Sequence, residues 1–571
     1  MSRKARSLGW LVVSVAFGVA IASGLPAGEP QQGKSVPGSA PAKMAPGGII
    51  VSRETTFITA PLRKDGTVDY LAALNQRYSQ GVTPDNNAAV LLFQALGPAE
   101  ILKPHRERFF ERLGIAPLPE KGAYLEGFTA YFKRKSPGPP GRKEWQERDI
   151  SQMAYDELSR ITDRPWSKKD SPIGAAWLEE NQEQIDLVVA ASKRPRFYAP
   201  YVTGRDGPGT FIALLLPVVQ PTRDAAHALR ARAAFRIGAG KSEEAWQDLL
   251  ACHRLARVLD QAPTLVEGLA AISIEGIAIS GDTALAHEGK LTPEQARRFA
   301  GEFRRLPPMS KMVDRVNWAE RLTYLDAILG DGRTVVGNSR VIQVLAPVII
   351  DRNEAMRVGN QWYDRLVAAL SKPTRKERDA AVAGFDRDAK KLELESAAWQ
   401  IVLTGEDWGW KLGVDDRKRA VVNVKDLLRG VLRNISSVGS LRGGLGRQMG
   451  QIYVGLTVPA LSTAANAEER NVANESMVPV VFALAAFRAD HKSYPADLAA
   501  LVPKYLPAIP EDIFSGGPLR YKREGPGYVL YSVGRNGKDD GGRASWDNDQ
   551  EHPGDNEGRD DIAIRVPAKK K

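Results

Sequence analysis

The sequence is poor in the residues that most metal and redox sites need. It has one cysteine, Cys252, and six histidines in 571 residues. A single cysteine excludes an internal disulfide and a cysteine-based metal cluster, and no two histidines have the HxH or HxxxH spacing of a zinc enzyme. The sequence also lacks a phosphate-binding loop, a dinucleotide fingerprint and a G-x-S-x-G nucleophile elbow. It therefore contains none of the common catalytic motifs.

The composition is that of a folded protein. Hydrophobic residues make up 43% and charged residues 26% of the chain, which excludes a chain that is disordered throughout. The net charge of +11 bears on solubility and partners rather than on the fold. At roughly 150 residues per domain, the length suffices for about three or four domains.

The N-terminus has the pattern of an export signal over residues 1–24. A basic cluster precedes an apolar run at 8–21 that ends in small residues. This pattern predicts a signal peptide cleaved after Ala22 or Gly24, or else an uncleaved membrane anchor, because the apolar run is nearly long enough to span a bilayer. Both alternatives predict an exported protein that is periplasmic, anchored to the cell envelope or secreted. Residues 25–48, rich in Pro, Gly, Ser and Ala, are predicted to form a disordered linker.

The hydrophobic periodicity from 49 to 445 is mostly helical. Thr83, with a proline after it, predicts a helix start. Thr292 is followed by a proline and by a glutamine at the third position, which predicts a capping box. Segments 223–238 and 242–260 predict an antiparallel helical hairpin of the tetratricopeptide type. The sequence thus predicts a large α-helical body, 49–445, that contains helical hairpins.

The pattern changes in the C-terminal part. A long helical stretch is predicted to end before a turn bounded by Pro495. Alternating apolar residues predict three short strands: 519–523, 528–533, and one through Ile562, Ile564 and Val566. The predicted C-terminal domain, 446–567, is a long helix plus a small antiparallel sheet, and a basic tail follows at 568–571. Together with the helical body, this predicts an α+β fold class.

Several segments of this domain carry motifs in a specific order: 455–461, 486–495, 497–498, 501–506, 512–521 and 531–537. These segments resemble the major pseudopilin of type II secretion. The resemblance implies a pilin-like domain. It also implies that calcium is bound in the loop after the second strand.

The loop between the second and third predicted strands is acidic. Residues 534–561 include nine acidic and four basic residues. A long connection without its own core is usually functional or disordered, and Ca²⁺ takes about six to eight oxygen ligands. The pseudopilin resemblance implies a backbone carbonyl near Val533 and later side-chain oxygens as ligands. The candidates are Val533, Asn536, Asp539, Asp540, Asp560 and Asp561. A solvated acidic loop is the alternative, because the spacing does not follow the EF-hand pattern.

A second resemblance extends over the body. It is carried by residues 61–75, 81–89 and 245–255. These segments are similar to a group of exported proteins of planctomycete-type bacteria. The similarity implies a shared architecture and supplies no activity.

Three carboxylates lie on a predicted apolar helix that begins near Thr264. Glu267, Glu275 and Asp282 are seven or eight residues apart, a spacing that places them on one helical face. They could act as acid and base in a cleft. Alternatively, they could form ion pairs with arginines of the preceding hairpin: Arg230, Arg232, Arg254 and Arg257. The sequence favours ion pairs. His227, His253 and His287 are predicted to be structural, because their spacing does not make any two of them ligands on one face.

The predicted function is an exported, envelope-associated, non-catalytic scaffold or interaction protein. The pseudopilin resemblance implies a link to type II secretion or a pilus-like assembly. The alternatives are a periplasmic hydrolase that uses the carboxylates of the body, and a calcium-dependent adhesion module. The predicted partners are proteins of the cell envelope, with membrane anchoring by the N-terminus. Nucleic acid is not an expected partner, because no aromatic residues interleave the basic clusters at 133–135, 142–143, 372–378 and 569–571.

Overall fold

The computed structural model describes residues 43–136, 147–203, 211, 216–330, 350–404, 438–543 and 559–567. The predicted signal or anchor at 1–24, most of the linker and the basic tail at 568–571 lie outside these residues. The protein is mostly helical (61%), with a small three-stranded antiparallel sheet near the C-terminus. This agrees with the predicted combination of a helical body and a small sheet.

The helices before residue 330 are α1 (Tyr70–Tyr78), α2 (Ala88–Leu96), α3 (Arg106–Leu113), α4 (Phe128–Lys135), α5 (Glu147–Asp163), α6 (Pro172–Glu180), α7 (Gln182–Ser192), α8 (Val219–Gly238), α9 (Ser242–Leu259), α10 (Leu265–Glu288), α11 (Pro293–Arg304), α12 (Met312–Arg315) and α13 (Arg321–Leu329). A π-helical segment, Val316–Glu320, joins α12 to α13. The later helices are α14 (Arg352–Leu370), α15 (Arg375–Thr404) and α16 (Val438–His491). Short 3₁₀ turns occur at Pro46–Gly48, Lys103–His105 and Leu498–Leu501.

The predicted helical hairpin is confirmed as α8 and α9, and α10 packs against both. Small residues allow this close packing. A Cβ atom on Gly281 of α10 would lie 2.2 Å from a Leu249 methyl group of α9. The capping box predicted at Thr292 is also confirmed, at the start of α11. Helices α8, α9 and α10 form the scaffold that positions the buried charges described below.

Two predictions near the N-terminus are corrected by the structure. Residues 43–48, the end of the predicted linker, form strand β1 (Lys43–Ala45) and a turn, and β1 pairs with β2 (Ile49–Val51). The strand forms because Ile49 and Val51 are buried against the body. The helix predicted from Thr83 begins at Ala88 instead. Its cap is Asn87, whose side chain also binds the backbone of Tyr198, a tertiary contact that Thr83 does not make.

The C-terminal sheet follows the predicted order. Strands β3 (Arg520–Glu524), β4 (Gly527–Ser532) and β5 (Ile562–Val566) pair antiparallel, with β4 in the centre. The predicted strand bounds differ from these by one residue at most in the hairpin. A 3₁₀ turn, Leu498–Leu501, lies between Pro495 and the first strand of this sheet.

Helix α16 runs continuously across the predicted boundary at 445 and 446. Its first part lies against α14, where a Cβ atom on Gly446 would be only 2.1 Å from the carbonyl oxygen of Asp351. Its second part shares a core with α9, α11 and the sheet. That core includes Trp246, Phe299, Phe482, Leu530 and Ile564. The helical body and the C-terminal part are therefore packed as one structure in the part of the chain that is described.

Candidate functional site

The carboxylates predicted on one helix belong to α10. Glu267, Glu275 and Asp282 are 0%, 0% and 1% exposed. A buried carboxylate is unfavourable unless it is paired and hydrogen-bonded. The partners of each carboxylate therefore indicate what this helix face does.

His253 of α9 lies between Glu275 and Asp282. Its Nδ1 is 3.0 Å from Oε2 of Glu275, and its Nε2 is 2.9 Å from Oδ2 of Asp282. The imidazole is fully buried, and its ring packs edge-on against Phe303. Two carboxylates thus flank one histidine in the interior of the helix bundle.

The charge network continues into the C-terminal helix. Arg257, one turn after His253 on α9, binds Glu275 through Nη1. Its Nη2 lies 2.9 Å from Oε1 of Glu475 on α16. The same Glu475 oxygen accepts a hydrogen bond of 3.1 Å from Asn471. A network of two cations and three carboxylates therefore joins the body to α16.

The electrostatics of the network favour a protonated histidine. Burial alone would lower the pKa of His253, but Glu275 and Asp282 outweigh burial and raise this pKa to about 9. Burial would raise the pKa of Glu275, but His253 and Arg257 hold it below its usual value. Burial raises the pKa of Glu475 to about 7, although Arg257 opposes the shift. At neutral pH, His253 and Arg257 are positive and Glu275 is negative.

Glu267 has a separate role at the start of α10. Its carboxylate accepts a hydrogen bond of 2.7 Å from the Thr264 hydroxyl and completes a capping box with this residue. The Tyr201 hydroxyl also lies 3.1 Å from it. Burial raises the pKa of Glu267 to about 7 despite these hydrogen bonds. The Thr-x-x-Glu spacing was a sequence signal for this cap.

The structure thus brings together two of the three predicted carboxylates. Of the predicted arginine partners, Arg257 binds Glu275, whereas Arg232 binds Asp248 and Asp186. All three carboxylates are closed off from solvent, a placement that favours structural ion pairing over acid and base catalysis.

Sequence reasoning missed His253 as the central group. The signal was its position four residues before Arg257, which places both on the same face of α9.

Among the described residues, two helices are long and apolar enough to cross a membrane by length and composition: Leu265–Glu288 and Ala464–His491. Their apolar windows are 56% and 61% buried inside the protein. Core helices have the same composition, so length and hydropathy alone do not assign either helix to a membrane. Both helices contribute carboxylates to the His253 network.

The candidate calcium ligands lie at the two ends of the loop after β4; residues 544–558 of that loop lie outside the described ranges. Val533 donates its backbone N–H to Asp512 over 3.2 Å. Asn536 donates a hydrogen bond of 2.9 Å to Asp540, which also accepts the backbone N–H of Asp560 over 3.1 Å. Asp560 pairs with Arg470 at 3.1 Å. The candidates are thus close together in the fold, and several are engaged by donors of the protein.

Asp561 has the environment most suited to a cation. One carboxylate oxygen accepts a hydrogen bond of 2.7 Å from the Gly542 backbone, and the other oxygen, Oδ1, is buried with no partner among the described residues. Burial, with the Asp540 and Asp539 carboxylates, raises the pKa of Asp561 to about 6. An unpartnered oxygen next to other carboxylates fits a hard cation such as Ca²⁺. However, no group of three or more His, Cys, Asp or Glu is arranged to hold a metal within the described ranges.

Comparison with family models, with curated proteins and with solved structures found no match to this chain.

Proposed function

We propose that the protein is an exported, envelope-associated, non-catalytic scaffold or interaction protein with a pilin-like C-terminal part. The observation that carries the proposal is the order of elements after residue 438: a long helix, α16, followed by the antiparallel sheet β3–β5. This is the arrangement that the pseudopilin resemblance implies. The buried carboxylates of α10 favour this role over the hydrolase alternative.

The packing of α16 restricts how such a protein could assemble. Three apolar residues in its second part, Met477, Val480 and Phe482, are fully buried at 0% exposure each and belong to the core shared with α9 and α11. Glu475 of the same helix is held by Arg257. The body therefore covers this face of α16, and a partner would have to bind other surfaces. On this proposal the protein attaches to an assembly as an accessory and does not insert α16 into a filament.

The proposal predicts that components of a secretion or pilus-like assembly bind this protein in its host. The test is chemical cross-linking of intact envelopes, purification of the tagged full chain and mass spectrometry of the captured proteins. We expect enrichment of pseudopilins or other secretion components over an unrelated exported protein with the same tag. Recovery of unrelated envelope proteins alone would contradict the link to secretion and leave the pilin-like part as a purely structural module.

We further propose that Ca²⁺ binds the loop after β4, with the Asp561 carboxylate as one ligand and backbone or amide oxygens of the loop as others, because the described residues do not arrange three carboxylates around one point. Bound Ca²⁺ would supply a positive charge that offsets the repulsion between Asp561 and the Asp540 and Asp539 carboxylates. Calcium at about a hundredfold excess over its Kd should raise the free energy of unfolding by about 2.7 kcal/mol. Thermal melting of the full chain in EGTA and in Ca²⁺ measures this effect as an increase in Tm.

The matched variants for this prediction are Asp561→Asn and Asp490→Asn. Asp561→Asn should abolish the Ca²⁺-dependent increase in Tm, because it removes the charge of the buried carboxylate. Asp490 is paired with Lys504 at 2.7 Å on the surface, so its replacement should preserve the increase. An unchanged Tm for the wild-type protein in Ca²⁺ would show instead that the loop is solvated and acidic without metal.

A further inference from the structure

A cavity of about 910 Å³ opens between three parts of the fold. One wall is the segment 53–60, which follows β2. The second wall is Trp318 with Arg321, and the third is the face of α14 that carries Arg357 and Asn360. The volume is in the range of pockets that hold drug-sized ligands. None of the lining residues belongs to the His253 network or to the loop after β4, so the cavity is a separate feature.

The walls of the cavity are held together by buried polar groups. Arg321 is 1% exposed, and its Nη1 lies 2.7 Å from Oδ1 of Asp364. Its guanidinium also stacks over the Phe57 ring at 4.3 Å. Asn360 donates hydrogen bonds of 3.0 Å and 2.8 Å to the carbonyl oxygens of Glu54 and Thr55. These contacts fix the segment 53–60 against α14 and preorganise the cavity.

The same walls contain several features that lower the stability of the folded protein. Phe57 has a φ of 62°, which is rare for a residue other than glycine. Trp318 lies in the π-helical segment, a distortion that is frequent at functional sites. Three polar atoms of the walls are buried without a hydrogen-bond partner in the described part of the chain: Trp318 Nε1, Arg321 Nε and Asn360 Oδ1. Unfavourable groups gathered at one cavity are typical of a site that is maintained for binding.

The rim of the cavity offers both hydrogen-bond donors and acceptors to a ligand. Arg53, Glu54, Thr59 and Gln361 are exposed lining residues. Their side chains form no hydrogen bond or ion pair with other described residues. Among the described residues, the one ion-pair partner of Arg357 is Glu354, at 3.4 Å. The rim therefore combines two available guanidinium groups with an amide, a hydroxyl and the Glu54 carboxylate. A second exposed carboxylate, Asp364, is already paired with Arg321.

We propose that this cavity binds an acidic carbohydrate. A carboxylate on a sugar ring would pair with Arg53 and Arg357, because guanidinium groups bind carboxylates in two-pronged geometry. Sugar hydroxyls both donate and accept hydrogen bonds, which suits the mixture of Glu54 and Gln361 on the rim. The Arg77 guanidinium lies over the Trp318 ring at 4.2 Å, so an apolar face of a sugar would pack against the part of the ring that Arg77 leaves exposed. A simple anion would not use these acceptor and aromatic groups.

The test is isothermal titration calorimetry of the full chain with trigalacturonate. The neutral trisaccharide maltotriose and the non-sugar anion citrate are the two comparison ligands. We expect trigalacturonate to bind at least tenfold more tightly than either. Arg53→Ala and Arg357→Ala should each weaken its binding about tenfold. The matched control is Arg365→Ala, on the same helix but outside this cavity, which should leave binding unchanged.

Each other outcome overturns the proposal. Absence of trigalacturonate binding excludes an acidic carbohydrate of this kind as the ligand. Equal affinity for citrate means that the arginines attract any anion, and equal affinity for maltotriose means that the carboxylate is not recognised. Binding that survives both arginine substitutions places the ligand elsewhere on the protein. Circular dichroism of each variant shows whether the fold is retained, and because Arg53 is exposed, Arg53→Ala is expected to retain it.

Discussion

Replacing His253 with glutamine should destabilise the protein by about 3–5 kcal/mol near neutral pH. This is the usual cost of removing one partner from a buried ion pair, because the remaining charges stay buried without compensation. Glu275 would keep Arg257, but Asp282 would lose the contact of 2.9 Å that His253 provides. Urea unfolding of wild-type and variant proteins, monitored by circular dichroism, measures the difference.

The pH dependence separates the charge of His253 from its packing. The pKa of this histidine is raised from 6.5 to about 9 in the folded protein. A raised pKa contributes stability that is complete below the unfolded value and is lost as the pH rises through the folded value. A pKa raised from 6.5 to about 9 corresponds to about 3 kcal/mol, since each tenfold change in proton affinity is about 1.36 kcal/mol. The difference between wild type and His253→Gln should therefore decrease by about 3 kcal/mol from about pH 5.5 to about pH 9.5.

His287→Gln is the matched control for this prediction. His287 lies near the end of α10, is half-buried, and contacts the Tyr494 hydroxyl at 3.1 Å. Burial lowers its pKa, so its removal should not reproduce the loss of stability between pH 6.5 and 9. If His253→Gln does not fold, NMR titration of the wild-type imidazole provides an independent measurement. A His253 pKa at or below the ordinary value would contradict the proposed imidazolium.

Much of the local structure could be predicted from the sequence, because it depends on nearby residues. The capping box at Thr292, the hairpin of α8 and α9, and the strands β3 and β4 each have short-range signals. The failures occurred where a distant contact decided the outcome. Asn87 replaces Thr83 as a helix cap because Asn87 also binds Tyr198, more than a hundred residues later. No local pattern contains that information.

In the charge network, too, the local features could be predicted from the sequence and the tertiary contacts could not. The helical spacing of Glu275 and Asp282 was visible in the sequence, and so was Arg257 as an ion-pair partner. The insertion of His253 between the two carboxylates depends on how α9 packs against α10. The contribution of Glu475 requires α16 to return to the body over a separation of 218 residues from Arg257. Sequence periodicity places residues on a face, but it does not determine which faces meet.

The packing of α16 on the body leads to the second large prediction, which concerns Phe482. This side chain is 0% exposed, and its ring lies 5.4 Å from Trp246 of α9 and 6.0 Å from Phe299 of α11. Phe482→Ala should lower the free energy of unfolding by about 3–5 kcal/mol, because it leaves a cavity in a close-packed core. Tyr155→Ala is the control, since Tyr155 is 62% exposed and its truncation should cost less than about 0.5 kcal/mol.

The location of the lost stability tests whether the body and the C-terminal part, α16 with β3–β5, are one cooperative unit. Hydrogen exchange measures the opening free energy of each element separately. Because Phe482, Trp246 and strand β4 share one core, Phe482→Ala should reduce the protection of α9 and of β4 by the same amount. A loss confined to α16 and the sheet, with α9 unaffected, would show two independent units. The C-terminal part could then separate from the body. The face of α16 that the body covers would become available to an assembly, contrary to the accessory role proposed above.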